Sequence, residues 1–410
     1  MQWFFRKIAD FCDTGSGGTP SRRKADLYYG GDIPWIKSGE LNDSVLFKTD
    51  ETITNKGLKE SSAKLVPAGS ILIAMYGATV GKTALLGINA TSNQAICNIQ
   101  PNPEIIENKF LWYFLKSNIK ELLQKRVGGA QPNISQQIIK EIKTPIPPIS
   151  EQRRIVEILE QADRLRNFRT DADAKAQRIL PTLFIQMFGD PATNPMGWDT
   201  VLFNEVVEIG TQLVDPNQPK FLDLPHIGGE HIEKETGRIL SPPLVRDSNL
   251  LSNKFKFSSD HILLSKIRPY LNKVAYPRFY GVCSADIYPL RPIKNNVTHW
   301  YLVSLLKTQA FLDYAKAHSD RLRIPKLNKA QLGAFKFPLP DPHLMVAFDE
   351  RVEKIISVEN FRFALQEKIE TLYQVILYRA FNGDLTASWR EAHIKELLQE
   401  MELQAKALAS

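Results

Sequence analysis

The 410 residues predict an α+β fold written twice: two globular α/β domains in a pseudo-two-fold arrangement, separated by two long antiparallel helices that form a coiled coil. Three observations carry this expectation. The chain repeats itself along its length, each repeat ends in a sustained seven-residue stripe, and positive charge is confined to the segments outside those stripes.

The repeat is read from offsets. Trp3-Phe4-Phe5 through Gly15-Ser16 aligns with Trp198-Asp199-Thr200 through Gly210-Thr211 at 195 residues. Ile33-Pro34-Trp35-Ile36 aligns with Leu224-Pro225-His226-Ile227, and Pro101 with Pro292, at 191. Near the domain ends the offset becomes 193, pairing Pro145-Ile146-Pro147 with Pro338-Leu339-Pro340 and Asn167-Phe168-Arg169 with Asn360-Phe361-Arg362.

Residues 1–145 form the first domain. Short apolar runs such as Ile71-Leu72-Ile73 and Ile96-Cys97, set between Gly and Pro turns, predict strands. Phe110 to Lys125 has helical spacing, with Trp112-Tyr113 in the core. Residues 146–190 form the first long helix, with Ser150 as N-cap. Its stripe places Ile155, Ala162, Arg169, Ala176 and Leu183 at heptad position a, and Ile158, Leu165, Ala172, Ile179 and Gln186 at d. Pro181 is expected to kink or break it, because proline lacks the amide that a helix interior needs.

Residues 195–338 repeat the first domain, with a helix from His299 to Lys316 carrying Trp300-Tyr301. Residues 339–385 form the second long helix, with a at Phe348, Ile355, Arg362, Ile369 and Ile376, and d at Arg351, Val358, Leu365, Leu372 and Arg379. Residues 386–410 form a C-terminal helical tail without counterpart in the first repeat. Packing beside the N-terminal domain and partner docking both suit it.

Composition narrows the function. No apolar run approaches the ~18 residues of a membrane span and no signal peptide is visible, so a cytoplasmic protein is expected. Cys12, Cys97 and Cys283 lie far apart and read as core residues rather than metal ligands or disulfides. Net charge is +7. Residues 1–145 hold 18 Lys and Arg against 13 Asp and Glu, and 195–338 hold 19 against 13, whereas 146–194 hold 7 of each and 339–410 hold 8 against 12. Two basic domains on a neutral-to-acidic frame suit a polyanionic partner.

The segment Gly77-Ala78-Thr79-Val80-Gly81-Lys82-Thr83 looks like a phosphate-binding loop, but it has three residues between its glycines where the cradle needs four. Its copy, Arg268-Pro269-Tyr270-Leu271-Asn272-Lys273-Val274, drops both glycines. Dinucleotide, zinc-protease and methyltransferase fingerprints are missing, and the seven histidines lack ligand spacing, so no catalytic residue and no metal site are expected.

Nucleic-acid contacts have better material. In the first domain the candidates are Thr19, Ser21, Arg22 and Arg23 in a Gly-rich loop, Lys37 and Ser38 after a strand, Tyr76, Thr79 and Lys82 in the glycine turn, and the amides Asn93, Gln94, Gln131 and Asn133. In the second they are Lys266, Arg268, Tyr270, Lys273, Arg321, Arg323 and Lys326. Amides pair bidentately with adenine and Arg with guanine, while clustered cations also grip phosphates.

Three segments together resemble the specificity subunits of type I restriction-modification systems. They are Gly17-Gly18-Thr19-Pro20-Ser21 with Ile33-Pro34-Trp35-Ile36-Lys37-Ser38-Gly39; Met75-Tyr76-Gly77 through Lys82 with Asn93-Gln94-Ala95; and Pro145-Ile146-Pro147-Pro148-Ile149-Ser150-Glu151-Gln152-Arg153-Arg154. The resemblance implies two target-recognition domains, each reading one half of a bipartite double-stranded DNA target, with helix length setting the unread gap. It implies a noncatalytic subunit, two modification subunits that bind S-adenosylmethionine and methylate adenine, and restriction subunits that use ATP and Mg. It also implies partner docking on the helices, for which Ile155, Leu159, Leu165, Phe168, Phe361, Leu365 and Leu372 are the candidates. Two rival readings remain: an enzyme in its own right, either a P-loop ATPase or a methyltransferase, and a coiled-coil scaffold with nonspecific basic ends.

Overall fold

The structure, a computed structural model, describes residues 3–118, 123, 133–293, 297–319 and 325–409. The chain divides into two compact units, Met1–Phe168 with Glu367–Ser410, and Arg169–Gln366. Both boundaries fall inside long helices, so each unit keeps part of each helix in addition to its sheets.

In the first unit a five-stranded sheet runs β2 (Cys12–Ser16), β9 (Ile96–Pro101), β6 (Ile71–Ala74), β7 (Thr83–Leu86), β4 (Ser44–Leu46). A three-stranded sheet runs β5 (Glu51–Ile53), β3 (Tyr29–Ile36), β8 (Thr91–Ser92), and β1 (Phe4–Lys7) pairs with β10 (Lys143–Ile146). The run Ile71-Leu72-Ile73-Ala74 is buried on both faces, and its side chains alternate. Ile71 and Ile73 enter the core with Phe110 and Leu111, whereas Leu72 and Ala74 enter another with Leu86 and Ile96.

The second unit repeats the central part of this pairing, with two four-stranded sheets where the first unit has a five-stranded and a three-stranded one. Its sheets run β12 (Val207–Ile209), β19 (Ile287–Pro292), β16 (Ile262–Ser265), β17 (Val274–Ala275), and β13 (Leu213–Val214), β15 (Lys254–Phe257), β18 (Gly281–Cys283), β14 (His226–Ile227), with β11 (Thr200–Leu202) on β20 (Lys336–Pro338). Phe5 faces Pro145 and Thr200 faces Pro338; Cys12 faces Pro101 and Val207 faces Pro292. Trp35 pairs in parallel with Thr91, as His226 does with Val282. All three sequence offsets are thus satisfied by paired strands.

Trp112, Tyr113, Trp300 and Tyr301 are buried, as expected. The described part of the first domain's helix is Asn108–Ser117. The second domain's helix is two, His299–Leu305 and Gln309–His318, because Thr308 ends one and caps the other through Phe311 N.

The first long helix runs Ile149–Ala176 and resumes as Ile179–Phe188, so the break expected near Pro181 is present. Ser150 is not its N-cap. The helix starts one residue earlier, and the Ser150 amide and hydroxyl donate instead to Glu400 Oε2 at 2.9 and 3.0 Å. The second long helix, Pro342–Asn382, is capped by Asp341, which accepts from His343 N at 2.8 Å, and ends at Gly383 with φ +90°.

The helices pair antiparallel within each unit. In the first, Arg166 binds Glu370 at 2.9 Å and lies 4.0 Å over the Tyr373 ring, with Leu159 packed in the core that holds Leu377 and Ala380. In the second, Asp173 pairs with Arg362, Arg169 donates to the Arg362 carbonyl at 3.0 Å, and Met187 packs with Phe348 and Val352. The expected a positions face the partner helix. The expected d row does not: Leu165, Ala172, Ile179, Gln186, Val358 and Leu372 are exposed, and the second seam row lies one residue later, at Leu159, Arg166, Asp173, Leu180 and Met187. Ion pairs of Arg166 with Glu370, and of Asp173 with Arg169 and Arg362, fill places that a purely apolar seam would leave to aliphatics.

Residues Ala387–Ala392 and Ile394–Ala409 are helical and pack in the first unit. Gln404 Nε2 donates to the carbonyls of Ile105 and Pro147 at 2.8 and 3.1 Å, and Leu397 and Met401 are buried. Among the described residues no helix is long and apolar enough to cross a membrane.

Candidate nucleic-acid interface

One end of the first unit's sheets gathers most of the candidates. The register Ser16 with Cys97 and Ala74 with Ile96 brings the segment after β2, the one before β9 and the one after β6 to the same edge. The three-stranded sheet joins there, since Asn93 N donates to Ile36 O at 2.9 Å and Gly18 N to Ser92 O at 2.7 Å. Thr19, Ser21, Arg22, Arg23, Tyr76, Lys82 and Gln94 are exposed, and Lys37, Ser38, Thr79 and Asn93 are half-buried. The Thr19 hydroxyl donates to Gln94 Oε1. Tyr76 bridges to Asn133, and Ile134 N donates to Met75 O at 2.6 Å.

The second unit builds the corresponding edge. Ile267 bridges to Lys326, and Leu327 N donates to Lys266 O at 2.9 Å. These positions are the repeats of the Tyr76–Asn133 bridge and the Met75–Ile134 bond. Lys266, Arg268, Tyr270, Lys273 and Lys326 therefore meet at one edge, whereas Gln131, Arg321 and Arg323 lie outside the described residues.

Gly77 and Gly81 have φ of +85° and +83°, and their repeats Arg268 and Asn272 both have φ of +49°. The glycines thus serve a turn that needs the left-handed region at both ends, and the copy makes the same turn with side chains that tolerate it less well.

Several expected contacts are tied to acids that sequence reading did not single out. Lys82 binds Asp43 at 2.8 Å; burial raises the Asp43 carboxyl, but bonds from Lys82 and Thr83 outweigh it and hold it below the usual range. Lys37 and Arg22 both bind Glu51, at 2.7 and 2.6 Å, and hold its carboxyl down. Lys273 spends a donor on Gly229 O at 2.5 Å, which makes it a brace for the turn. Lys266 is half-buried, 5.1 Å over the Tyr288 ring, and both it and Lys326 face Asp286, at 4.0 and 3.9 Å. Burial lowers the Lys266 ammonium. Arg23 and Arg268 are exposed without an ion partner among the described residues. Asp43, Glu51 and Asp286 left no local signal, since each lies in a separate segment from the cations it holds.

On the long helices, Ile155 and Leu159 are fully buried and cannot present their side chains to a partner, which corrects their reading as docking residues. Leu165, Phe168, Phe361 and Leu372 are 58–70% exposed, and Leu365 is half-buried. Cys97 and Cys283 are buried as expected and Cys12 is half-buried; burial pushes the Cys97 thiol up to about 12.

Fold and site together define a duplicated binding protein, with one backbone frame presenting two different sets of polar loops. The model of the type I restriction modification DNA specificity domain matches residues 1–174. The EcoDI specificity subunit of Escherichia coli is 29% identical over 332 residues, covering 70% of this chain and 72% of its own. Among solved structures, one described as the structural basis of complex assembly and conformational transition of the type I R-M system has a TM-score of 0.60 at 17% identity, covering 94% of this chain and 98% of that one. The S subunit from M. genitalium has a TM-score of 0.55 at 15% identity over 93% of this chain and 96% of its own. The chain is thus similar to type I restriction-modification specificity subunits, through the family model over its first 174 residues and through relatives such as the EcoDI subunit.

Proposed function

We propose that this chain is the noncatalytic, sequence-reading subunit of a type I restriction-modification complex, with residues 1–145 and 195–338 each reading one half of a bipartite double-stranded DNA target. One observation carries the reading: equivalent loop edges, fixed by the Met75–Ile134 and Lys266–Leu327 bonds, bear unrelated polar residues. A shared frame with divergent loops suits two half-sites of different sequence.

Two modification subunits holding S-adenosylmethionine would supply adenine methylation, and restriction subunits would supply ATP- and Mg-dependent cleavage, all in the cytoplasm. The exposed Leu165, Phe168 and Leu372 of the first unit, and Phe361 of the second, support helix docking of such partners.

Adenine methylation mapped by long-read sequencing, in cells holding the modification subunit with and without this chain, tests the proposal. A bipartite motif that appears only with the chain supports it. Replacing residues 1–145 by those of another specificity subunit changes one half of that motif; a change in both halves overturns the modular reading.

A further inference from the structure

Arg22 stands apart from the other cations at the first unit's loop edge because its plane is fixed. Its guanidinium lies 4.0 Å over the Tyr29 ring and 5.3 Å from that of Trp35, and one terminal nitrogen binds Glu51 Oε2 at 2.6 Å. The platform is itself immobilised. Trp35 is buried and donates from Nε1 to Gly18 O at 2.9 Å, and the Tyr29 hydroxyl donates to Pro20 O at 2.7 Å. Glu51 is held from its other oxygen by Lys37 at 2.7 Å.

This arrangement exceeds what a phosphate clamp requires. Phosphate contacts are sequence-independent and are served by a flexible cation, whereas reading a base edge requires the planar fork to arrive in one orientation. One of the five guanidinium donors is spent on Glu51, leaving enough for the paired O6 and N7 acceptors that guanine shows in the major groove. Two cations share the one Glu51 carboxylate, so its charge is more than matched by its own partners.

We infer that Arg22 reads a guanine in the first half-site, with Glu51 as its positioning residue. The inference rests on the DNA-reading function proposed above. The second unit lacks the device, because the repeats of Trp35 and Lys37 are His226 and Gly228. The effect therefore belongs to one half-site.

The test maps adenine methylation on chromosomal DNA from cells carrying the modification subunit with the wild-type chain, R22K, R22Q or E51Q. It is paired with binding of the purified complexes to duplexes varied one base pair at a time. The expected result is that R22K and R22Q lose about ten- to hundredfold of the discrimination at a single G·C pair of one half-site. E51Q relaxes that same pair in part, and the other half-site is unchanged. If both Arg22 variants keep the wild-type motif and weaken binding evenly across sequences, Arg22 is a phosphate clamp and the inference fails. Loss of all binding in both at unchanged melting temperature overturns it equally, since one base contact does not carry the whole affinity. A wild-type chain that directs no bipartite motif defeats the proposed function itself.

Discussion

Arg390 donates from Nε to Glu151 Oε1 at 2.8 Å, joining the tail to the first turn of the long helix across 239 residues of sequence. Glu151 is fully buried, and its carboxylate also accepts from Thr386 Oγ1 at 2.6 Å and Trp3 Nε1 at 3.0 Å. Removing the cation leaves a buried charge held by two neutral donors alone. R390M is therefore expected to destabilise the first unit by about 3–5 kcal/mol, and the double variant with E151Q to recover much of it. Chemical denaturation of the three purified chains checks this; equal stability of R390M and wild type defeats it.

Glu400 supplies the helix cap that Ser150 does not. Truncating it by E400A frees the Ser150 amide and hydroxyl, with an expected loss of about 1 kcal/mol. S150A removes only the hydroxyl and is expected to cost less, which thermal melting resolves.

The turn glycines give a paired prediction. No atom lies within 4 Å of a Cβ added at Gly77, so the cost of G77A is the backbone alone, about 1 kcal/mol. R268G relieves the same conformation in the copy and is expected to be neutral or slightly stabilising, offset by unfolded-chain entropy. A large stability loss in R268G, measured by denaturant melts, would show that its side chain rather than its backbone matters to folding.

His226 links stability to acidity. The residue is 9% exposed, its Nε2 has no hydrogen-bond partner among the described residues, and burial first, then Lys254 and His231, lower its pKa from 6.5, against a smaller opposing pull from Glu230. The unfolded chain takes up a proton near pH 6.5 and the folded one only at lower pH. Its contribution to stability is thus present above 6.5 and falls as pH drops towards the folded value. The second unit should weaken between pH 7 and 5, and the slope should flatten in H226F; parallel slopes by urea melts at several pH values count against this.

Burial separates two kinds of helix residue. L159A is expected to cost about 2–5 kcal/mol in folding, as a fully buried leucine does. F168D, at a side chain 69% exposed, is expected to leave melting nearly unchanged while weakening co-purification with a modification subunit. Intact co-purification of F168D removes this residue from the docking surface.

The duplication was legible down to its register, because strand pairing forces matched residues to keep matched spacing. Phe5 with Pro145 and Thr200 with Pro338 show how the changing offsets absorb insertions between strands without moving the pairs. The helix seam was legible only by half. Arg166, Asp173 and Arg362 sit inside it as ion pairs, while Leu165 and Phe168 face outward, so apolar periodicity pointed partly at the exposed side. At the candidate interface, sequence supplied the cations and amides but missed Glu51, Asp43 and Asp286. A carboxylate that orients a distant arginine leaves no trace in local pattern.

The first unit needs residues from both ends of the chain, since Gln404 and Arg390 complete a core begun at Trp3. On a ribosome adding roughly 5–20 residues per second, the opening segment waits on the order of ten seconds or more for its closing piece, while the second repeat, contiguous in sequence, emerges whole. Translation order and completion order are thus inverted. A nonsense codon late in the message would spare the later half and leave the earlier one unfinished.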